Sequence, residues 1–195
     1  IINNGVVTIN ETAGVSQTQW RAQGGNVHLA GTGVLVLNAS ANLDTAYLYW
    51  TSNPATETLF NASEHSIEGR GNIYLCLTNA GTLSPGVGNE AAGQLNFPSQ
   101  VCTFANSGRF LCDINGTAPA DYDRLTGPAN KALNGTIAVR LGYSATVGDV
   151  YDVVTGPYSG RFSVLELARG YYIEYGATVR IGYSGCIGDW DQDGD

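Results

Sequence analysis

The sequence predicts an all-β fold, an antiparallel β-sandwich of the jelly-roll or immunoglobulin-like type with little or no helix. Short apolar or alternating runs rich in Val, Ile, Thr and Tyr recur along the whole chain, which is typical of strands. Gly, Asn, Pro and Ser separate these runs, as expected for turns in a sandwich. Charged residues make up only 13% of the 195 residues, which argues against a charge-rich disordered chain or a helical bundle.

The strand candidates follow one another along the chain. They lie at residues 5–9, 26–37, 46–51, 72–78, 101–112, 136–142, 149–154, 161–167 and 171–183. The two helix candidates, 89–95 and 119–133, are interrupted by Gly or Pro, which limits each of them to about one turn. The stretches 79–100 and 113–133 are predicted to be long loops.

Three segments organise the chain. Residues 1–12 form an N-terminal β segment, whose Val6, Val7 and Ile9 are the candidate assembly strand. This segment could complete the chain's own sheet, or it could add a donor strand to a neighbouring copy. Residues 13–188 form the predicted sandwich domain, and residues 189–195 form an acidic loop.

Charge and composition point to an extracellular or cell-surface protein. The chain carries 17 acidic and 9 basic residues and a net charge of −8, which opposes binding to nucleic acids or to anionic lipid surfaces. No apolar run approaches the roughly 20 residues of a membrane span. The absence of Met, together with an N-terminal Ile, indicates a processed chain whose targeting segment has been removed.

Four cysteines predict two disulfides. Cys102 and Cys112 bracket a hairpin-like turn at residues 106–108, which could bring the two sulfur atoms across adjacent strands. That pairing leaves Cys76 with Cys186. The sequence alone allows three connectivities, and four free thiols in a cytosolic protein are the alternative.

Five N-x-S/T sequons favour an exported glycoprotein. Several sequons would arise by composition alone in a chain this rich in Asn, Ser and Thr. Each sequon is therefore weak evidence for glycosylation by itself, and the five together favour an exported protein. The candidate glycosylated residues are Asn10, Asn38, Asn61, Asn115 and Asn134.

An internal repeat relates residues 139–149 (VRLGYSATVGD) to residues 179–189 (VRIGYSGCIGD). Arg140 and Arg180 occupy matching positions, and neither is a generic turn residue. The repeat predicts two structurally equivalent strand-and-turn units, each followed by an Asp-bearing loop. Coincidence in a β-rich chain is the alternative.

The final residues, DWDQDGD, place three aspartates at alternate positions before a glycine. This pattern resembles the first half of the calcium loops of dockerins, EF-hands and thrombospondin type 3 repeats. The resemblance implies side-chain ligands at Asp189, Asp191 and Asp193 and a carbonyl ligand at Asp195. These four aspartates carry half of the net charge. A solvated acidic tail is the alternative.

One carboxylate pair could be catalytic. A hairpin joining residues 161–167 to 171–175 would place Glu166 opposite Glu174, at about the 4.5–5.5 Å of cross-strand neighbours, a separation that suits a retaining glycosidase. A pair of outward-facing glutamates is the alternative. His28 and His65 have no recognisable nucleophile as a partner, so no hydrolase triad is predicted.

Aromatic residues offer a sugar-binding platform, for which Trp20, Trp50, Tyr47 and Tyr49 are the candidates. Tyr47 and Tyr49 share one face of a strand, and Leu48 and Trp50 share the other, so one of these sets must belong to the core.

These observations lead to three functional hypotheses. The first is a self-assembling subunit of an extracellular filament, a homopolymer formed by β-strand addition and stabilised by disulfides and calcium. The body resembles pilus-type or filament-type β-sandwich subunits in this general character. The second is a carbohydrate-binding or adhesin module, with glycans as partners. The third is a β-sandwich glycosidase, although no enzymatic function is favoured.

Calcium binding can be tested on the terminal loop. If Asp189, Asp191 and Asp193 bind Ca²⁺, EDTA should lower the melting temperature, because ligand binding stabilises the folded state. Asp191→Ala should abolish that effect. A melting curve that does not respond to EDTA would contradict the prediction.

Overall fold

The structure, a computed structural model, describes residues 1–11, 17–23, 25–40, 42–50, 57–87 and 91–185. The all-β prediction is confirmed, but the antiparallel sandwich is wrong. The chain instead winds into a parallel β-solenoid. Nearly all neighbouring strands belong to successive coils, and they run in the same direction.

The strands follow one another coil by coil. The first two coils contain β1 (Val6–Asn10), β2 (Thr18–Ala22) and β3 (Val27–Leu29), then β4 (Val34–Asn38), β5 (Ala46–Trp50) and β6 (Thr58–Asn61). The next two contain β7 (Ser66–Ile73) and β8 (Cys76–Asn79), then β9 (Thr82–Val87), β10 (Ala91–Ala92), β11 (Gln94–Asn96) and β12 (Cys102–Phe104). The last two contain β13 (Arg109–Ile114), β14 (Arg124–Thr126) and β15 (Lys131–Leu133), then β16 (Thr136–Leu141), β17 (Val150–Val154) and β18 (Tyr158–Gly160). Three further strands follow, β19 (Val164–Glu166), β20 (Tyr171–Tyr175) and β21 (Val179–Tyr183), and a short 3₁₀ helix spans Leu43–Thr45.

The strands stack into three faces. Face 1 consists of β1, β4, the first part of β7, β9, β13, β16 and β19. Face 2 consists of β2, β5, the end of β7, β11, β14 and β17. Face 3 consists of β3, β6, β8, β12, β15 and β18. An antiparallel hairpin of β20 and β21 caps face 2, because β21 pairs with β17.

The hydrophobic core fills the space between the faces with columns of stacked side chains. One column on face 1 contains Leu35, Ile67, Leu83, Phe110 and Ile137, whose strands pair in that register. Each of these five residues is at most 2% exposed. The alternation of buried and exposed positions within each strand is the same as in a sandwich, so it predicts strands without indicating which strands pair.

The corner inside β7 requires a glycine. Gly69 has a φ of +99°, and a Cβ atom there would lie 2.0 Å from the Leu37 carbonyl oxygen. Both the left-handed backbone and the close approach of the neighbouring coil exclude a larger residue. This corner lets β7 contribute to two faces without an intervening loop.

The predicted disulfide between Cys102 and Cys112 does not form. Cys102 lies on face 3 and Cys112 on face 1, because β12 and β13 meet at a corner of the coil instead of forming a hairpin. Both side chains are buried thiols, and burial raises the pKa of each. For the second predicted pair, Cys186 lies outside the described residues.

Two other predictions of local structure are also wrong. Glu166 and Glu174 do not face each other across a hairpin, because β19 pairs with β16 on face 1 and β20 pairs with β21 on face 2. The repeated sequences are not equivalent units either. Residues 139–141 end a parallel strand of face 1, whereas residues 179–183 form an antiparallel strand of the cap.

The predicted long loops contain strands. The stretch 79–100 includes β9, β10 and β11, and the stretch 113–133 includes β14 and β15. These strands are only two to six residues long, too short to show a clear alternation. Their backbone groups pair with neighbouring coils, which stabilises them where their own sequence pattern is weak.

Lys131, the only lysine in the sequence, is completely buried at a corner between faces 2 and 3. Its ammonium group donates to the carbonyl oxygens of Gly127 at 2.6 Å and Ala129 at 2.9 Å, and it lies 3.5 Å from that of Pro157. Burial lowers the pKa of Lys131 to about 8. The side chain therefore satisfies corner carbonyls that would otherwise be buried without donors.

Two buried aspartates, Asp113 on β13 of face 1 and Asp123 just before β14 of face 2, are hydrogen-bonded to each other's backbone or side chain. Asp113 forms a double hydrogen bond with the Arg140 guanidinium group, at 2.6 and 2.7 Å. Asp123 accepts the backbone N–H groups of Gly93 at 2.8 Å and of Asp113 at 3.1 Å. Burial raises the pKa of Asp123 to about 8 in spite of these donors, so the folded chain holds this carboxyl protonated at neutral pH.

The buried Asp123 predicts a pH-dependent stability. Its folded pKa of about 8 lies above the ordinary value of 3.8, so the unfolded chain loses this proton first. The protonated Asp123 therefore makes its full contribution to the free energy of unfolding below about pH 4. This contribution is lost as the pH rises towards 8. The melting temperature of the wild type relative to Asp123→Asn should therefore fall between pH 5 and pH 8. Ser84→Ala, a buried substitution that does not titrate, serves as the control, and a constant difference between wild type and Asp123→Asn would contradict the prediction.

Candidate functional site

A cluster of three tyrosines on the outer surface of face 2 is the candidate functional site. Two of them, Tyr47 and Tyr49, alternate on β5 with the core residues Leu48 and Trp50, which are 0% and 1% exposed. This settles which set is the core. Tyr74 joins them from the next strand, directly after β7.

The three rings contact one another edge to face. Ring centroids of Tyr47 and Tyr74 lie 5.5 Å apart, and Tyr49 lies 6.1 Å from each of them. This arrangement is favourable for aromatic rings. Tyr49 is 40% exposed, whereas Tyr47 is only 7% exposed, so Tyr49 presents the accessible ring and the other two support it.

Neighbouring side chains orient the tyrosine hydroxyls. Tyr74 donates to Asp44 Oδ1 at 2.6 Å, and the amide of the buried Asn72 donates to the same oxygen. Tyr47 donates to Gln17 Oε1 at 2.7 Å. Burial and the Asp44 carboxylate raise the pKa of Tyr74 to about 12, and burial raises that of Tyr47, so both hydroxyls stay protonated at neutral pH.

Polar groups surround the rings. Gln19 and Arg21 on β2 lie beside Tyr47 and Tyr49 in register, and Arg21 Nε donates to Gln19 Oε1 at 2.6 Å. Together with Gln17, Asp44 and the tyrosines, they line an open depression of about 360 Å³. The site thus combines aromatic surface with fixed amide, hydroxyl and guanidinium groups.

A polar row continues from the site along face 2. Asn96 donates to Asn72 Oδ1 at 2.6 Å, and Thr126 donates to Asn96 Oδ1 at 3.0 Å. Because Asn72 also bonds to Asp44, hydrogen bonds connect the depression with strands further along the solenoid. The positions of these side chains are therefore mutually constrained.

The sequence identified part of this site. Tyr47 and Tyr49 are confirmed as neighbours on one surface, but Trp50 is in the core and donates to the Glu57 carbonyl oxygen at 3.0 Å. Trp20 is partly buried against that core. Tyr74, Asp44 and the β2 side chains were missed, because only the parallel pairing of β2, β5 and β7 brings them to the tyrosines.

The sequon asparagines occupy different environments, and their glycosylation remains a prediction. Asn61 is fully buried, and its amide nitrogen donates to Asn79 Oδ1 at 2.7 Å. The amide nitrogen of Asn38 likewise donates to Asn10 Oδ1, and that of Asn134 to Asn106 Oδ1. Asn115 is partly buried, and its amide nitrogen is buried without a partner among the described residues. Asn10 is exposed and uses its oxygen, so it is the best placed of the five to carry a glycan.

The other predicted sites fall into separate places. The calcium-loop residues Asp189, Asp191, Asp193 and Asp195 lie outside the described residues, and within the described part no group of three or more metal-ligating side chains could hold an ion. Glu166 forms a double hydrogen bond with Arg109 at 2.6 and 2.8 Å. Its two oxygens are thus held by a guanidinium group.

The candidate assembly strand belongs to the chain's own first coil. In β1, Ile9 is buried, while Val6 and Val7 are 69% and 43% exposed. β1 pairs in parallel with β4. Among the described strands, β1 and β2 have a neighbour on one side only. Residues 1–3 bond to the end of β3 and to Ala30, so the first coil presents an open edge on faces 1 and 2.

These features define the chain as a parallel β-solenoid with a tyrosine-lined depression on one face. No protein-family model matches the chain, and no curated protein sequence matches it. No helix in the described ranges is long and apolar enough to cross a membrane.

Proposed function

We propose that this chain is an extracellular carbohydrate-binding module, and that it binds a glycan in the tyrosine-lined depression. The observation that carries the proposal is the exposed ring of Tyr49, supported by Tyr47 and Tyr74 and surrounded by fixed polar groups. An aromatic face can cover the apolar C–H surface of a sugar ring, while the polar groups satisfy its hydroxyls.

Preorganisation supports binding at this site. The hydroxyl groups of Tyr47 and Tyr74 are fixed by Gln17 and Asp44 before any ligand arrives. A sugar therefore meets side chains that lose little conformational freedom on binding. The depression is open instead of enclosed, which suits the side of a long chain better than a small molecule that must be buried.

The composition of the site favours binding over hydrolysis. Its one carboxylate, Asp44, is engaged by Tyr74 and Asn72. Hydrolysis by paired carboxylates needs two such groups at the scissile bond. The lining residues in the described part of the chain include only this one.

Substituting the exposed tyrosine should test the proposal. Binding to soluble xylan, mannan, β-glucan, galactan, alginate and polygalacturonate would be measured by affinity electrophoresis and calorimetry. Tyr49→Ala should weaken binding to the bound polysaccharide by about fivefold, since a stacked ring is worth about 1 kcal/mol.

Tyr172→Ala is the matched control, because Tyr172 is 37% exposed on β20 of the same face. It should leave the affinity unchanged. Failure of the wild type to bind any of these polysaccharides, or equal binding by Tyr49→Ala, would contradict the proposal.

Self-assembly by strand addition is a second candidate, favoured by the open edge of the first coil. The exposed Val6 and Val7 lie on an edge strand whose outer backbone groups have no strand partner among the described residues. Such an edge can pair with a second copy. At the opposite end, the β20–β21 hairpin caps face 2, whereas β19 and β18 are the last strands of faces 1 and 3. We propose the first coil for the contact because it carries the exposed Val6 and Val7.

A charge on the edge strand should test self-assembly. Val6→Lys should abolish assemblies seen by sedimentation and negative-stain microscopy, because a lysine on an edge strand opposes pairing. Val147→Lys, at a residue 67% exposed outside the strands, should leave assemblies intact. A wild type that stays monomeric at high concentration would exclude this candidate.

A further inference from the structure

We propose that the ligand of the tyrosine site is an acidic glycan, a uronate-containing chain whose carboxylate pairs with Arg21. This inference rests on the proposed carbohydrate-binding function and specifies its ligand. It follows from how Arg21 is placed relative to the rings, from what Arg21 already binds, and from what the carboxylate of Asp44 already binds.

The guanidinium group and the rings form one row. Arg21 is paired in register with Tyr49, and Tyr49 is the neighbour of Tyr74 on the following strand. Strands of one face are about 4.8 Å apart. A cation, an exposed ring and a supporting ring therefore follow one another along the solenoid axis, one for each strand.

Arg21 differs from the arginines whose partners are fixed within the fold. Arg109, Arg140 and Arg180 each form an ion pair with a carboxylate. Among the described residues Arg21 has no such ion pair, and its Nε donates to the neutral Gln19 side chain. That bond fixes one edge of the guanidinium group and leaves its terminal nitrogens for a ligand.

The carboxylate within the site does not neutralise this cation. Asp44 Oδ1 accepts from Tyr74 and Asn72, and no ion pair joins Asp44 to Arg21 in the described part of the chain. A guanidinium group binds a planar carboxylate through two parallel hydrogen bonds. A sugar acid stacked on Tyr49 can offer such a group to the neighbouring strand, where Arg21 lies.

The row also specifies an extended ligand. A chain of sugars running along the axis meets a new strand at each step. Two residues to the side of Tyr74, in register with Gln19 and Tyr47, the polar row of Asn72, Asn96 and Thr126 continues on face 2. Asn72 and Thr126 are buried and bonded to their neighbours, so the half-buried Asn96 is the member of this row that a following sugar can reach. A linear acidic polysaccharide therefore fits the site better than a single sugar.

The test compares each acid with its own neutral form. Oligogalacturonate and oligomannuronate would be titrated by calorimetry against their methyl esters, in EDTA so that calcium does not bridge the carboxylates. The wild type should bind at least one acid about tenfold more tightly than its ester, as a charge-assisted hydrogen-bond pair supplies.

Matched variants separate this inference from the proposed function. Arg21→Gln should abolish the preference for acid over ester while retaining binding of the ester. Arg169→Gln, which removes the same charge from an exposed arginine elsewhere, should keep the preference for acid over ester. Tyr49→Ala should weaken the binding of both ligands.

Equal affinity for acid and ester would overturn the acidic-glycan inference alone. Binding of neutral polysaccharides but of neither acid would also overturn it. Absence of binding to every glycan would overturn the proposed function as well.

Discussion

The parallel register between successive coils is the constraint on which the rest of the structure depends. A residue in an inner strand lies beside the residues at the same position one coil earlier and one coil later. Residues of one kind therefore come together in columns. The core column from Leu35 to Ile137 and the row of Arg21, Tyr49 and Tyr74 arise from the same rule. The side chains of the core column point into the solenoid, and those of the row point away from it.

The sequence predicted the strands better than their partners. Each of the nine predicted segments contains all or part of a strand, because alternation of apolar residues is a local signal. Pairing is not local. Face 1 returns to the same position from Val6 to Val34, from Val34 to Ser66, and from Ser66 to Thr82. The coil length thus changes from 28 to 32 and then to 16 residues, whereas the next three returns, to Arg109, Thr136 and Val164, take 27, 27 and 28 residues. The second and third coils interrupt the period of 27–28 residues, and a sandwich explained the same strands.

The candidate site was found in part for the same reason. Tyr47 and Tyr49 share a strand, so their common surface is visible in the sequence. Asp44, Tyr74 and Arg21 become neighbours only through the pairing of β2, β5 and β7. For the cysteines, the sequence led to the opposite error, because it predicted contact between residues that the fold separates. The spacing of Cys102 and Cys112 resembles a hairpin, but a parallel coil turns that segment around a corner and separates the two thiols onto different faces.

The burial of Lys131 also determines what the folded surface can react with. The chain has one lysine, and its amine is inside a corner, held by carbonyl oxygens. The permanently cationic side chains that the folded chain presents to solvent are therefore guanidinium groups. Enzymes and reagents that acylate, crosslink or cleave at lysine find no side-chain target on the native molecule. The native surface therefore resists modification at lysine side chains, because its one lysine is buried.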